Sequence, residues 1–384
     1  MRKISVVIVL VMLLGMFPLT GQGAQLKVEG KSALLMEVST GKILYEANAH
    51  EPLAPASVTK VMTMLLIMEA VDSGQIALTD MVTASETAAA KGGSQIFLKV
   101  GETMSVSDML KSIAVSSAND CACAMAEHLA GSEAAFVARM NERAEELGMA
   151  DTHFVNCTGL DDSPEAANHK TSAHDIALMS RALLKDHPQI RKYTTIWMDT
   201  VRNGTFGLSN TNKLVRFYNG ATGLKTGFTS GAGYCLSASA MRDGMELVAV
   251  VMGAETSKSR NAACKQLLDF GFASYALVSP ELSDIPDVPV KLGKTPCVAP
   301  QLGENSQLLI DKAMRGSITT EYHTEESLTA PVSKGQRMGT LTVKAGEQTL
   351  AEIPLVAADS VERLTWWELF IKVFRQLAMA RPKA

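Results

Sequence analysis

The chain has 384 residues and a formal net charge of −4, with 36 Lys and Arg against 40 Asp and Glu and 47% hydrophobic residues. That is long enough for two domains and a further small element, with ample apolar content for a core. No basic run tracks a phosphate backbone, which excludes nucleic acid as an expected partner.

In chain order, Met1-Arg2-Lys3 followed by an apolar run to Leu19 reads as a secretory signal peptide, with small residues at Gly21, Gly23 and Ala24 placing cleavage near Ala24. The alternative, a retained membrane anchor, needs an apolar run nearer ~20 residues. Residues 32–38 and 42–45 predict two strands joined by a turn at Thr40-Gly41. A long apolar run, residues 58–71, then predicts a buried helix entered through Pro55 and ended at Ser73-Gly74. From 80 to 148 the pattern is mainly helical, clearest at 106–114, 120–129 and 133–147, and forms a helical lobe. Another helix is expected over 171–184, capped by Thr171 or Ser172. Residues 194–201 follow, then strands at 234–241 and 247–252 and a closing helix at 262–270. The expected fold is α+β, an antiparallel sheet with helices packed on it and a helical lobe beside it.

After Leu282 the composition shifts. Pro286, Pro289, Pro296 and Pro300 punctuate short apolar runs, and alternating strands at 290–292, 338–343 and 350–356 suggest a small all-β domain with a hairpin turn at Ala345-Gly346. Residues 361–380 then read as an amphipathic helix. Trp366, Phe370, Val373, Phe374 and Leu377 share one face, widened by Trp367, Ile371 and Ala378, and Glu368, Lys372, Arg375 and Gln376 share the other. Charges at nearly every turn place such a helix in the membrane interface, flanked by Arg363, Arg381 and Lys383. The competing reading is a terminal helix packed on its own domain. The resulting division is 1–24 signal peptide, 25–282 catalytic domain, 283–358 all-β domain and 359–384 membrane-surface helix.

Three short motifs carry the chemistry: Ser57-Val58-Thr59-Lys60, Ser117-Ala118-Asn119 and Lys225-Thr226-Gly227. Residues three apart share one helix face, so Ser57 and Lys60 sit as a nucleophile beside its base. A serine needs a neighbour to take its proton, and a lysine does so only when neutral. Burial in the apolar stretch 61–70 and a second cation, Lys225, both lower a lysine pKa. Taken alone, Ser57 reads as an ordinary helix N-cap, and Ser117 as another cap; the trio together is what points to chemistry.

With these motifs, and with Leu53-Ala54-Pro55-Ala56-Ser57, Gly92-Gly93-Ser94, Thr158-Gly159-Leu160, Asn210-Thr211-Asn212 and Gly223-Leu224-Lys225-Thr226-Gly227, nearly the whole chain resembles the low-molecular-mass penicillin-binding proteins that act as D-alanyl-D-alanine carboxypeptidases. It is most similar to those of endospore-forming Gram-positive bacteria, some of which act during spore formation. The resemblance implies a β-lactamase/transpeptidase-like catalytic domain and a substrate peptidoglycan stem peptide ending in D-Ala-D-Ala. It also implies covalent inhibition by β-lactams, and no cofactor or metal. It implies Ser57 as nucleophile, Lys60 as base and Ser117 as proton relay, with Asn119 holding a substrate amide or the Lys60 amine. Lys225 and Thr226 would bind the terminal carboxylate, and Gly227 would let the substrate lie along the strand. The oxyanion hole would be the backbone N–H groups of Ser57 and Phe228, the latter standing where some relatives carry histidine. Arg260 would assist the carboxylate, with a surface salt bridge as its alternative role.

A class A β-lactamase shares the motif trio but needs a further glutamate. The region offers Asp161, Asp162 and Glu165 without the expected Glu-x-x-x-Asn pattern. A D,D-endopeptidase and a catalytically weak wall-binding protein share the fold as well. The six cysteines show no zinc spacing, and most of them read as small buried apolar residues, with one disulfide left open. The seven histidines show no partner pattern, and His174 reads as a helix-start residue.

Overall fold

The computed structural model describes residues 26–282, 285–303 and 306–379. The expected signal peptide, residues 1–24, lies outside the described residues.

Strand β1 (Ser32–Glu37) is buried at every position, as a continuous apolar run covered on both faces should be. It pairs with β2 (Ile43–Ala47). The chain then enters α1 (Lys60–Asp72) through a 3₁₀ turn, Ala56–Thr59. Helix α1 is buried without a break from Lys60 to Met68, so it is a core helix rather than an amphipathic surface one. The lobe contains α2 (Val106–Ser116), α3 (Asn119–Ala130) and α4 (Glu133–Glu146), with Ser105 and Ser132 capping the first and last. Helix α5 (Ala173–Asp186) is capped by Ser172. The expected segment 194–201 divides into a short helix, Arg191–Thr194, and a strand, Met198–Val201, which forms a hairpin with Phe206–Ser209.

Strands β3 (Ala221–Thr229), β4 (Gly233–Arg242) and β5 (Met245–Ala254) complete a five-stranded antiparallel sheet in the order β2-β1-β5-β4-β3. Alternation along β1 splits the core. Leu34 and Met36 join the cluster with α1 and α5, while Ala33 and Leu35 join Leu267, Leu268 and Phe272 of α6 (Ser257–Ser274). The sheet is thus sandwiched between helices, and β3 is a free edge.

Beyond α6, β6 (Tyr275–Val278) pairs with β7 (Leu308–Asp311). Strands β8 (Ile318–Thr324), β9 (Arg337–Ala345) and β10 (Gln348–Ala357) form a sheet with Pro300–Leu302, around a core that includes Met338, Leu341, Ile353 and Leu355. The β9–β10 hairpin turns at Gly346, which has φ +60°.

The terminal helix, expected over 361–380, begins later. Val361 is buried in the β domain and exchanges two backbone hydrogen bonds with Val332. Thr365 then opens α7 (Trp366–Met379), its N–H and hydroxyl both donating to Glu368. Trp366, Trp367, Phe370, Ile371, Val373 and Phe374 are exposed, and Trp366, Phe370 and Phe374 stack in a row. The side chains of residues 376–379 and all of 380–384, with the expected Leu377, Ala378, Arg381 and Lys383, lie outside the described residues. Among the described residues no helix is long and apolar enough to cross a membrane. All six cysteines are free thiols, five of them buried and Cys297 exposed.

Candidate active site

Ser57 sits in the 3₁₀ turn immediately before α1, and Lys60 is the helix's first residue. Lys60 Nζ lies 3.0 Å from Ser57 Oγ and donates to the Thr158 carbonyl at 2.8 Å. Lys60 is fully buried. Burial pushes its pKa down to about 7, against the opposing pull of Cys157 and Asp120. A neutral amine has two hydrogens and one lone pair. With one hydrogen on Thr158, the lone pair is free to face the serine hydroxyl.

The loop that supplies Thr158 is built for that task. Asn156 Oδ1 accepts from Thr158 N–H, Thr158 Oγ1–H and Gly159 N–H. Thr63 of α1 donates to the Cys157 carbonyl at 2.7 Å. Glu133, paired with Lys91 at 2.6 Å, accepts from Cys157 N–H. Gly159 has φ +79°, and a Cβ there would lie 1.8 Å from the Ala56 oxygen. Only glycine lets this loop rest against the Ala56–Thr59 turn.

Ser117 ends α2 in the left-handed region, φ +64°, and α3 begins two residues later at Asn119. Ser117 is buried. Asn119 is braced by the Gly92-Gly93-Ser94 segment: its N–H donates to Ser94 O at 2.7 Å and its Nδ2 to Gly92 O at 2.7 Å. Its Oδ1 is buried without a partner, and the Lys60 amine bonds elsewhere. Asn119 therefore presents an open acceptor.

Lys225, Thr226 and Gly227 lie within edge strand β3. Lys225 is buried and donates to the Thr226 carbonyl at 2.8 Å, and Thr226 Oγ1 donates to Thr211 at 2.7 Å. Burial holds the Lys225 pKa well below the ordinary lysine range, and the charges of Lys60 and Arg260 lower it further. Burial is the largest cause at Lys60, as the sequence predicts, and the two amines repel each other, which disfavours both carrying a charge at once. Gly227 also has a packing role, because a Cβ there would meet Pro55 O at 2.6 Å and Ser57 N at 3.1 Å. The glycine lets the strand touch the turn that carries Ser57. Asn212 anchors the strand's start by donating to Gly223 O at 2.9 Å.

Phe228 is 54% exposed and packs on Tyr234 at 4.3 Å between ring centroids. Arg260, at the start of α6, is 4% exposed and reaches the Cys235 carbonyl, Ser257 and Asn261. A surface salt bridge is excluded by that burial, and no carboxylate pairs with Arg260 among the described residues. Asp161, Asp162 and Glu165 are all exposed.

Two further residues join the site without any signal in the sequence. The Thr59 hydroxyl bonds to Ala56 O and to His169 Nε2, each at 2.8 Å, and Val155 N–H donates to His169 Nδ1 at 3.0 Å. Residues 59 and 169 are 110 apart in the chain, and no periodicity links them.

Residues 20–256 match the D-alanyl-D-alanine carboxypeptidase family, peptidase S11, and residues 283–363 match the penicillin-binding protein 5 C-terminal domain. The D-alanyl-D-alanine carboxypeptidase DacF of Bacillus subtilis (strain 168) is 44% identical over 346 residues, which cover 88% of each chain. Penicillin-binding protein 5 from Haemophilus influenzae superposes with a TM-score of 0.72 at 31% identity, covering 88% of this chain and 98% of that one. Penicillin-binding protein D2 from Listeria monocytogenes, in its ampicillin-bound form, superposes with a TM-score of 0.56 at 32% identity, covering 64% of this chain and 99% of that one. With a serine and a buried lysine 3.0 Å apart on this fold, the chain belongs to the S11 family of serine-type D-alanyl-D-alanine carboxypeptidases, penicillin-binding enzymes, and carries their penicillin-binding protein 5 C-terminal domain.

Proposed function

We propose that this enzyme removes the terminal D-alanine of peptidoglycan stem peptides through an acyl-enzyme on Ser57. The observation that carries the assignment is the 3.0 Å approach of Ser57 Oγ to a buried lysine with a pKa of about 7. Ser57 attacks the carbonyl between the two D-alanines as its proton passes to neutral Lys60. The developing oxyanion is met by the backbone N–H groups of Ser57 and Phe228. Collapse of the tetrahedral intermediate breaks the C–N bond, and the Lys60 proton reaches the leaving nitrogen through the Ser117 hydroxyl. Water then hydrolyses the ester.

Asn119 Oδ1, an unsatisfied buried acceptor, takes a substrate N–H. Lys225, Thr226 and Arg260 supply the cationic and hydroxyl donors for the terminal carboxylate. Support comes from two buried basic side chains, Lys225 and Arg260, near the edge strand, for which no carboxylate partner is found among the described residues. β-Lactams acylate the same serine, as a substrate-like amide whose leaving group stays attached.

The proposal extends to place. Residues 1–24 direct export, and α7 holds the enzyme on the outer membrane surface by its exposed aromatic row. The likeness of its motif segments to those of endospore formers suggests a role in wall remodelling during spore formation. Labelled penicillin should attach to the protein, and mass spectrometry of a digest should find it on Ser57. Equal labelling of Ser57→Ala would overturn the assignment.

A further inference from the structure

We propose that Thr59 and His169 are positioning residues that aim the backbone N–H of Ser57 at the substrate carbonyl. The inference rests on the oxyanion reading above and adds what holds that donor in place.

In a trans peptide unit the C=O and N–H point in opposite directions. The Ala56 carbonyl and the Ser57 N–H belong to one such unit, so whatever holds the Ala56 oxygen sets the direction of the Ser57 donor. The Thr59 hydroxyl holds it, at 2.8 Å. Ala56 has φ +48°, a conformation that costs a non-glycine residue strain, and so needs such a clamp.

The direction of the hydroxyl is itself determined. Val155 N–H donates to His169 Nδ1, so the imidazole proton resides on Nε2. That proton is donated to Thr59 Oγ1 at 2.8 Å, which leaves the hydroxyl's own hydrogen for Ala56. The donors run one way, Val155 N–H, His169 Nε2–H and Thr59 Oγ1–H, and end on the Ala56 carbonyl as acceptor. Thr59 and His169 are both buried, and burial pushes the His169 pKa down to about 4, so the imidazole remains neutral in ordinary buffers. Val155 opens the loop whose Thr158 carbonyl orients Lys60. One loop therefore sets both the base and the oxyanion donor.

The test uses the full-length enzyme with Thr59→Val, which removes the hydroxyl at constant shape, and Thr59→Ser, which restores it. D-Alanine release from a soluble peptide and the carbonyl stretching frequency of the penicilloyl-Ser57 ester are measured on each. Thr59→Val is expected to lower kcat about 10- to 100-fold, with KM changed less than about twofold, and to move the ester stretch to higher frequency. Thr59→Ser is expected to return both to wild type. An ester stretch unchanged in Thr59→Val overturns the positioning role, whatever happens to the rate. Should Thr59→Val fail to fold, Thr59→Cys, a weaker donor of similar size, is expected to give a frequency above wild type, and an unshifted one overturns the proposal. A wild-type ester that already absorbs where a free penicilloyl serine ester does in aprotic solvent overturns the oxyanion reading itself, and is thereby distinguished from failure of the positioning role alone.

Discussion

Gly227 and Ser57 are in backbone contact across the cleft: a Cβ on Gly227 would stand 3.1 Å from Ser57 N and 2.6 Å from Pro55 O. The edge strand and the nucleophile turn can keep this spacing only with a hydrogen in that place. Gly227→Ala must therefore push the turn away by a substantial fraction of an ångström. Misplacement of about 1 Å costs on the order of 100-fold in rate, so penicillin acylation should slow by about that factor. Circular dichroism should remain that of the folded enzyme.

Acylation should depend on neutral Lys60. The rate is expected to rise as pH increases through about 7 and to level above it, falling about tenfold per pH unit below. Lys60→Arg should be inactive at every pH, because a guanidinium stays protonated. Stopped-flow acylation by a chromogenic β-lactam gives both results. The same burial links folding to pH. The unfolded chain binds a proton at Lys60 that the folded enzyme gives up between its ordinary value of 10.5 and about 7. Stability therefore rises with pH across that window, and urea midpoints should rise less in Lys60→Met.

Carboxylate recognition should reside in the buried cations. Arg260→Gln is expected to raise KM for an acid-terminated peptide about 10-fold or more, the scale of losing a charged hydrogen-bond donor. Selectivity over the matching C-terminal amide should shrink by the same factor. Steady-state kinetics on the two peptides measure the ratio. Equal losses on acid and amide would show that Arg260 only supports the fold.

Membrane attachment should depend on the middle of the α7 aromatic row. Phe370→Glu puts a carboxylate between Trp366 and Phe374, which stack on either side of Phe370. Binding to anionic liposomes should fall severalfold or more while D-alanine release from a soluble peptide stays at wild type. Sedimentation with vesicles reads the first quantity.

The residues of the site were legible in the sequence where chemistry is local. Ser57 and Lys60 are separated by one helical turn, and the small-polar motifs at Ser117 and Lys225 mark a loop and a strand. The causes were less legible, because they depend on what folding brings together. Gly227 packs against Pro55 and Ser57, more than 160 residues earlier in the chain, and the full burial that lowers the pKa of Lys60 is made by the fold around it. The Thr59–His169 pair leaves no periodic trace. The start of the terminal helix was misplaced for a related reason. Val361 continues the apolar pattern of α7, yet its side chain fills the β core beside Val332.

The state of the sulfur atoms has a practical consequence. Cys121, Cys123, Cys157, Cys235 and Cys264 are sealed in the interior as thiols, and burial raises the pKa of each. They are thereby withheld from the thiolate chemistry of exchange and alkylation. The catalytic domain needs no oxidation step to mature, so a reducing cytosol and an oxidising medium should yield the same active fold. Cys297 alone is on the surface, so a maleimide should modify the native enzyme once, in the β domain and away from Ser57. A fluorophore on that single handle would test the proposed membrane docking without touching the catalytic domain.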